Sequence, residues 1–359
     1  MHVVHWSNGG LSKLVQELAA RCERGSAMVL VLVDNGGEIA PGLQVTVVRQ
    51  RGFLAQALAV RRAAREFRPD VVHVHSFTPL LMSVLMAPSG VPLIRTVHNN
   101  YPYFTSTSPL ARFKRLIEGR LQSWRRVQVV AISADVAARL PWPGSPPVID
   151  NGIDFDVVDR AALEPGVVAT PESPDSFVLA CVGRLEEQKN CELLLKTFAL
   201  VSRESQRALA LWLIGSGSRL ESLKELARTL GIDRQVQFFG HSKNPYAFLR
   251  SAHMYVSCSR YEGFNLALVE AMSLGLPAVA TRSGGVTESL VDGRDLSIVD
   301  RHEPDAVAKA ILGLLGDADR RRTLAEQGRT LVRARYSLAT MVDAYKALYV
   351  AACARPSSR

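Results

Sequence analysis

Residues 254–281 read MYVSCSRYEGFNLALVEAMSLGLPAVAT, and two kinds of periodicity alternate within this stretch. An apolar run at 254–259 is followed by a glycine-containing loop, a segment of helical period that begins near Asn265, and a second apolar run at 277–281. Short continuous apolar runs separated by a helical segment are typical of parallel strands that are buried on both faces. The stretch therefore predicts a strand–helix–strand unit of a parallel sheet.

The same alternation of apolar runs and helical segments extends over both halves of the chain. In the first half, the predicted strands are 2–6, 28–33, 45–48, 70–75, 92–98 and 127–132. In the second half, they are 177–183, 210–215, 236–240, 254–259 and 277–281. A Pro/Gly-rich stretch at 140–154 separates the two series, so the sequence predicts an α/β protein with two doubly wound, Rossmann-like domains.

The domain boundaries are predicted from that separation. Residues 1–152 are expected to form the first domain and residues 153–335 the second, while a C-terminal helix at 336–359 packs back on the first. Ligands of such sheets bind beyond the carboxyl ends of the strands. Two facing sheets are therefore expected to share a cleft.

The composition indicates a globular protein but does not identify its ligand. The chain has 359 residues, of which 47% are hydrophobic and 21% charged, as in ordinary globular proteins. It has no apolar run of the roughly 20 residues needed to cross a bilayer, no secretory signal pattern at its N-terminus, and no metal-ligand spacing among its cysteines. These features predict a cytoplasmic protein with reduced thiols. The net charge of +9 indicates an anionic partner, which could be nucleic acid, acidic lipid or a phosphorylated metabolite.

Loops that follow the predicted strands of the second half carry residues suited to a phosphate. Arg184 and Lys189 follow the first of these strands, and Gly215 and Gly217 follow the second. Two later loops contain the sequences SRYEGFN and TRSGGVTES. Glycine loops that open a helix offer backbone N–H groups and the positive end of the helix dipole, and Arg and Lys add cationic donors. Together these residues predict a phosphate site at the carboxyl edge of the second sheet.

Five motifs of the second half, in their order along the chain, resemble those of the retaining nucleotide-sugar glycosyltransferases of the GT-B fold, in particular glycosyltransferase family four. They are GRLEEQKN (183–190), NPYAFLRSA (244–252), the Glu-x₇-Glu pair Glu262 and Glu270, EAMSLGLPAVAT (270–281) and SGGVTE (283–288). The first half resembles the family more loosely. The resemblance implies the GT-B fold, a nucleotide-sugar donor and transfer with retention of anomeric configuration.

The resemblance also implies roles for the site residues. Glu262 is expected near the sugar and phosphates, and Glu270 is expected to accept hydrogen bonds from the ribose hydroxyls. Arg184 and Lys189 would stabilise the charge that develops on the leaving diphosphate, and His98 would lie close to the donor sugar. The predicted catalytic residues are Arg184, Lys189, Glu262 and His98. The predicted donor-binding residues are Gly9, Gly10, Gly183, Gly215, Gly217, Gly263, Phe264, Asn265, Leu266 and Glu270.

No metal and no cofactor are expected. Two Asp-x-Asp pairs, Asp154/Asp156 and Asp317/Asp319, match the pattern that holds a divalent ion in GT-A enzymes. Neither pair follows a strand at a sheet edge, so both are interpreted as turn and cap residues. No carboxylate is obviously placed as a covalent nucleophile, which fits a front-face route in which the diphosphate takes the acceptor proton.

The favoured donor is a UDP-hexose or UDP-N-acetylhexosamine, with GDP-mannose left open, and the implied acceptor is a cell-surface glycan or a lipid-linked saccharide.

The segment 110–127 concentrates basic charge. Its six basic residues, less Glu118, leave a net charge of +5 over 18 residues. It is predicted to form an amphipathic helix with an apolar stripe of Leu110, Phe113, Leu116 or Ile117, Leu121 and Trp124. The stripe is expected to pack into the domain core, while the basic residues contact an anionic membrane surface on the inner face of the cytoplasmic membrane.

Two other classes of function stay open. Nucleotide-sugar epimerases and phosphorylases share the fold, although the complete set of motifs argues against them. The basic charge also suggests a nucleic-acid-binding protein. Against that class, the sequence has no nucleic-acid recognition motif and its basic residues are spread over many helices.

Overall fold

The computed structural model describes the chain apart from residues 7–9, 22–26, 35, 37–38, 40–41, 49–51, 99–103, 165–174 and 355–359. The chain forms two compact units. One consists of Met1–Gly152 together with Leu338–Arg359, and the other of Ile153–Ser337.

The first unit is built on a parallel sheet. Its strands are β1 (His2–Trp6), β2 (Met28–Val33), β3 (Gln44–Val47), β4 (Val72–Val74), β5 (Leu93–Val97) and β6 (Gln128–Ala131). They lie in the order β3-β2-β1-β4-β5-β6, and all neighbouring pairs are parallel. The helices of this part of the chain are α1 (Gly10–Ala20), α2 (Phe53–Phe67), α3 (Phe77–Met86), α4 (Pro109–Trp124) and α5 (Ala134–Arg139).

The second unit repeats this plan. Its strands are β7 (Phe177–Val182), β8 (Leu209–Ile214), β9 (Val236–Gly240), β10 (Met254–Ser257), β11 (Ala278–Thr281) and β12 (Ser297–Val299), in the order β12-β11-β10-β7-β8-β9. All neighbouring pairs are parallel. Its helices are α6 (Phe155–Ala162), α7 (Cys191–Glu204), α8 (Leu220–Thr229), α9 (Tyr246–Ser251), α10 (Leu266–Ser273), α11 (Pro304–Gly316) and α12 (Ala318–Arg335).

Both sheets have the strand order of doubly wound folds, in which the order reverses between β1 and β4 and between β7 and β10. This confirms the predicted fold class of two Rossmann-like domains. The predicted strands are apolar because they are covered on both faces: β8 is buried along its whole length. The strand β12 was not predicted, because Ser297–Val299 is too short to show a periodic pattern.

The last helix, α13 (Leu338–Ala354), returns to the first unit. Its side chains Met341, Val342 and Tyr345 join the cluster of buried residues that contains Ile94 of β5 and Val130 of β6. Burial of these apolar side chains holds α13 on the sheet of the first unit.

The loops after β7 and β8 touch through their backbones. Gly215 has φ +149°, and a Cβ atom on it would lie 1.9 Å from the carbonyl oxygen of Gly183. The backbone N–H of Gly183 donates to the carbonyl of Ile214 at 3.0 Å. Only glycine combines this backbone conformation with so close an approach, so Gly215 sets the separation of the two loops.

We expect Gly215→Ala to lower the free energy of unfolding by about 3 kcal/mol or more, because it adds a steric clash to an unfavourable φ. Gly231→Ala is the matched control, since Gly231 has φ +69° and no atom within 4 Å of its added Cβ. The control should lose only about 1 kcal/mol. Urea denaturation measures both variants, and equal losses would contradict the assigned close contact.

Candidate active site

The centre of the site is an ion pair between two predicted residues of the second unit. Lys189 closes a 3₁₀ turn, Glu187–Lys189, that follows β7, and Glu262 lies in the loop after β10. The Nζ atom of Lys189 lies 2.7 Å from Oε1 of Glu262, and the two side chains are only 17% and 8% exposed. The strand order explains the meeting, since β7 and β10 are neighbours and their carboxyl ends share one edge.

Hydrogen bonds from polar neighbours fix the carboxylate of Glu262. The hydroxyl of Ser259 donates to Oε1 at 2.7 Å, and the amide of Gln188 donates to Oε2 at 3.2 Å. The backbone N–H of Glu262 donates to the carbonyl of Ser283, which ties in the loop after β11. A buried ion pair is tolerated when its remaining hydrogen-bonding capacity is met in this way. Ser259, Gln188 and Ser283 lie in motifs of the sequence but were not predicted as site residues, because a motif does not show which of its polar side chains bond to one another.

The loop from Glu262 into α10 turns sharply. Asn265 adopts a left-handed conformation with φ +75°, and its Nδ2 donates to the hydroxyl of Ser257 at 3.2 Å. A Cβ atom on Gly285 would lie 2.8 Å from the Cα of Phe264, so the SGGVTE loop lies directly against this turn. The turn is therefore held by Ser257 on one side and by the SGGVTE loop on the other, and it contains the predicted residues Gly263, Phe264, Asn265 and Leu266. The ring of Phe264 is buried and packs edge-on against Tyr336, which is a structural contact.

Glu270, the second glutamate of the motif, lies in the middle of α10 and is half-buried. Its Oε1 accepts a hydrogen bond from the hydroxyl of Tyr246 at 3.0 Å. Tyr246 begins α9, and its backbone N–H donates to the side chain of Asn244 at 3.2 Å. The NPY segment thus positions the tyrosine that orients Glu270, a link that its place in a quoted motif could have suggested.

Arg184 differs from Lys189 in its surroundings. It is exposed, and among the described residues it forms no ion pair. Its neighbour Glu186 accepts hydrogen bonds from the backbone N–H and the hydroxyl of Ser218, and these bonds lower the pKa of the Glu186 carboxyl. Glu186 is therefore engaged with the loop after β8, and the guanidinium of Arg184 stays accessible to an anionic ligand.

The glycines of the two loops have packing contacts of their own. A Cβ atom on Gly183 would lie 2.8 Å from Cε of Lys189, so this glycine makes room for the lysine side chain. A Cβ atom on Gly217 would lie 2.4 Å from the carbonyl oxygen of Leu185. Together with Gly215, these residues let two loops run in contact; their donor-binding role stays a prediction.

In the first unit, His98 directly follows β5 and is half-buried. Burial lowers its pKa to about 3, so the imidazole is neutral. Its Nε2 lies 3.1 Å from Nδ1 of His75. Gly10 begins α1, whereas the predicted residue Gly9 lies outside the described residues.

Two family models match the chain. Residues 8–157 match the model described as Glycosyltransferase Family 4, and residues 168–331 match the one described as Glycosyl transferases group 1. The lipopolysaccharide core biosynthesis glycosyltransferase LpsE of Rhizobium meliloti (strain 1021) is 31% identical, over 96% of this chain and 98% of its own. LpsD of the same organism is 27% identical over 97% of each chain. This chain belongs to glycosyltransferase family four.

Solved structures share the fold of this chain. HepE of Anabaena, crystallised with UDP and glucose, superposes with a TM-score of 0.79 over 98% of this chain and 100% of its own, at 18% identity. The lipopolysaccharide outer core galactosyltransferase WaaB superposes with a TM-score of 0.64 at 17% identity, over 98% of this chain and 100% of its own. Likenesses at this identity concern the fold alone, and they confirm the GT-B prediction.

The prediction for the basic helix of this glycosyltransferase was wrong in one respect, the direction of its apolar stripe. Within α4, the side chains of Leu110, Phe113 and Trp124 are 63%, 58% and 67% exposed, while Glu118 and Gln122 are buried. The helix therefore presents most of its stripe to solvent and buries Glu118 and Gln122, while Leu121 alone of the residues named for the stripe packs against the core.

A buried charge explains this orientation of α4. Glu118 forms an ion pair with Arg95 of β5, and both side chains are almost fully buried. The Arg95 guanidinium lies 5.0 Å from the centre of the Trp142 ring. Trp142 also lies against the helix at Gly119, where an added Cβ would approach its ring to 2.7 Å. The inward face is thus selected by partners on β5 and the 140–147 segment, which helical period alone does not reveal.

The two Asp-x-Asp pairs lie at helix starts. Asp154 accepts from the backbone N–H of Val157 at the start of α6, and Asp317 accepts from that of Arg320 at the start of α12. Both are capping contacts. None of the helices that the structure describes has the length and apolar character needed to cross a bilayer.

Proposed function

We propose that this glycosyltransferase moves a hexose or N-acetylhexosamine from a nucleotide-sugar, with a UDP-sugar favoured, to a cell-surface glycan or lipid-linked acceptor, with retention of configuration. The observation that carries the proposal is the Lys189–Glu262 pair, with Arg184 on the same loop, at the edge where doubly wound sheets bind ligands. The relatives support the ligand classes, because HepE was solved with UDP and glucose and LpsE and LpsD are named for lipopolysaccharide core biosynthesis.

Glu270 is the residue proposed to hold the ribose. Its carboxylate accepts a hydrogen bond from Tyr246, and an ionised carboxylate is an acceptor that can take two vicinal hydroxyls at once. The Tyr246 hydroxyl holds the carboxylate in one orientation, which reduces the entropy lost when the nucleotide binds.

A thermal-shift panel of UDP-glucose, UDP-N-acetylglucosamine, UDP-galactose and GDP-mannose identifies the donor, because ligands that bind the native state raise the melting temperature. We expect Glu270→Ala to raise the Kd of the matching nucleoside diphosphate roughly tenfold or more in calorimetry, since hydrogen bonds to a charged acceptor are lost. Tyr246→Phe, which keeps the carboxylate, is the control and should change the Kd about threefold or less. Wild-type affinity in Glu270→Ala would contradict the ribose role.

The proposed chemistry is electrostatic. As the glycosidic bond breaks, negative charge develops on the leaving diphosphate, and Lys189 and Arg184 would stabilise it from preorganised positions. The Lys189 ammonium has three N–H donors, so its bond to Glu262 leaves donors for a phosphate oxygen. His98 would contact the sugar hydroxyls. The diphosphate itself would take the acceptor proton, and the proposed reaction requires no metal and no cofactor.

We expect Lys189→Met and Arg184→Met to lower kcat by on the order of 10²–10³, with a smaller change in donor KM, in assays that contain EDTA. Lys196→Met, which removes an exposed lysine of α7, is the matched control. A double variant Lys189→Met/Glu262→Gln that is more active than Lys189→Met would show that part of the loss comes from leaving the Glu262 carboxylate buried without its partner. Losses below about tenfold in both single variants, or wild-type activity that needs added Mn²⁺, would contradict the proposed chemistry.

A second element of the proposal is contact with an anionic membrane surface through α4. The exposed side chains of Leu110, Phe113 and Trp124 form an apolar strip on a segment, 110–127, whose net charge is +5. Beside the strip lies a groove of about 780 Å³, lined in part by Arg115, Arg120 and Trp142. Apolar side chains flanked by Arg and Lys are the residues that bind the interface of anionic bilayers. A lipid-linked acceptor would be reached from such a surface.

We expect the enzyme to sediment with phosphatidylglycerol vesicles and not with phosphatidylcholine vesicles, because the attraction needs anionic headgroups. Phe113→Ser/Trp124→Ser should weaken vesicle binding by about tenfold or more, since two large apolar side chains are lost. Val350→Ser is the control, as Val350 is 71% exposed on α13 and lies outside the strip. Wild-type enzyme that stays in the supernatant with both lipids would contradict membrane contact.

A further inference from the structure

The first unit gathers histidines on one face of its sheet. His2 of β1 pairs in register with His73 of β4, and residues two apart on a strand share a face, so His75 continues the same face. His98 lies two residues beyond Thr96, which is on β5 next to β4. All of these histidines are buried or half-buried.

Their side chains form two separate hydrogen-bonded chains. In the first, Nδ1 of His2 lies 3.2 Å from Nε2 of His75, and Nδ1 of His75 lies 3.1 Å from Nε2 of His98. In the second, His73 contacts the hydroxyls of Tyr349 and Thr96, and Thr96 contacts the hydroxyl of Tyr345. Only the first chain ends at a predicted catalytic residue.

All three imidazoles of the first chain are neutral. Burial lowers the pKa of His2, His75 and His98, and the repulsion that would arise between neighbouring imidazolium ions lowers the pKa of His2 and His75 further. A neutral imidazole has one N–H donor and one lone pair. Since both nitrogens of His75 face other imidazoles, the donors along the chain must all point the same way.

The two possible directions of hydrogen-bond donation along the first chain require different tautomers. Each link joins an Nε2 to an Nδ1, so one direction places a proton on every Nε2 and the other places a proton on every Nδ1. The Nε2–H form is intrinsically the more stable tautomer of a histidine side chain. The favoured direction therefore runs from His98 to His75 to His2, and it leaves Nδ1 of His98 with its lone pair.

We infer that His75 and His2 are positioning residues that hold His98 in one ring orientation and in the Nε2–H tautomer, so that its Nδ1 acts as a hydrogen-bond acceptor for a substrate hydroxyl. Among the described residues, Nδ1 of His98 has no hydrogen-bond partner. The inference rests on the proposed function only in that the substrate hydroxyl belongs to the sugar or its acceptor.

A metal ion is the other use of such a cluster, since ring nitrogens of His2, His73 and His75 lie within 4.8 Å of one another. The contacts favour hydrogen bonding. Both nitrogens of His75 and both nitrogens of His73 already face hydrogen-bonding partners.

Nitrogen-15 NMR of histidine-labelled enzyme tests the inference directly, because a lone-pair nitrogen and an N–H nitrogen differ widely in chemical shift. We expect Nδ1 of His98, assigned with His98→Gln, to carry no proton in the wild type. In His2→Leu this signal should move toward a mixture of tautomers. In His2→Asn, whose side-chain oxygen can accept from Nε2 of His75, it should return to the wild-type position.

The loss of kcat should rank the His2 variants in the same order as their effect on the His98 tautomer. We expect kcat to fall about tenfold in His2→Leu and to stay within about threefold of wild type in His2→Asn, with donor KM little changed in both. Tyr345→Phe is the matched control, since it removes a hydroxyl of the second chain and leaves the first intact. Melting temperatures show whether each variant is folded.

A proton on Nδ1 of His98 in the wild type, an unchanged tautomer in folded His2→Leu, or stoichiometric zinc in the purified enzyme would each overturn the inference. Because the tautomer is measured without substrate, these results are independent of catalysis. Wild-type enzyme that transfers no sugar would contradict the proposed function and leave the tautomer result standing.

Discussion

The ion pair between Lys189 and Glu262 is the contact on which the carboxyl edge of the second sheet depends. It joins the loops after β7 and β10, and the backbone bond from Glu262 to Ser283 adds the loop after β11. Removing two charges from water is costly, and here Ser259 and Gln188 offset part of that cost by hydrogen bonding to the carboxylate. The pair therefore fixes a cation at the sheet edge before any ligand arrives, which is the condition for electrostatic catalysis without reorganisation.

The predicted catalytic residues of the two units are held by different physical means. In the second unit, Lys189 pairs with the opposite charge of Glu262, whereas in the first unit His98 contacts imidazoles that burial keeps neutral. A neutral network can orient a hydrogen-bond acceptor but contributes little to the stabilisation of an anion. A fixed ammonium can stabilise a developing negative charge. This difference matches the division proposed here, in which Lys189 acts on the diphosphate and His98 acts on a hydroxyl.

The fold could be predicted because parallel strands covered on both faces are continuous apolar runs, and helices interrupt them regularly. Lys189, Glu262 and Glu270 could be predicted because they belong to motifs. Tyr246 also belongs to a motif, but the motif does not show that its hydroxyl bonds to Glu270 on another helix. Ser259 lies only three residues before Glu262, and a single serine in a loop has no periodic pattern that would assign it. The β12 strand was missed for a different reason, since three residues carry no period.

An amphipathic period does not determine which face of a helix is buried, and α4 is an example. The period locates the apolar stripe, but the inward face was decided by Arg95, which lies on another element and pairs with Glu118. Stability alone does not account for this choice, because well-packed apolar residues in place of a buried ion pair are often at least as stabilising. The helix instead leaves Phe113 and Trp124 in water and forgoes roughly 25 cal/mol for each Å² of apolar surface that burial would remove from water. That loss is recovered if the strip is buried in a lipid interface, where the basic residues of the same segment can also contact anionic headgroups.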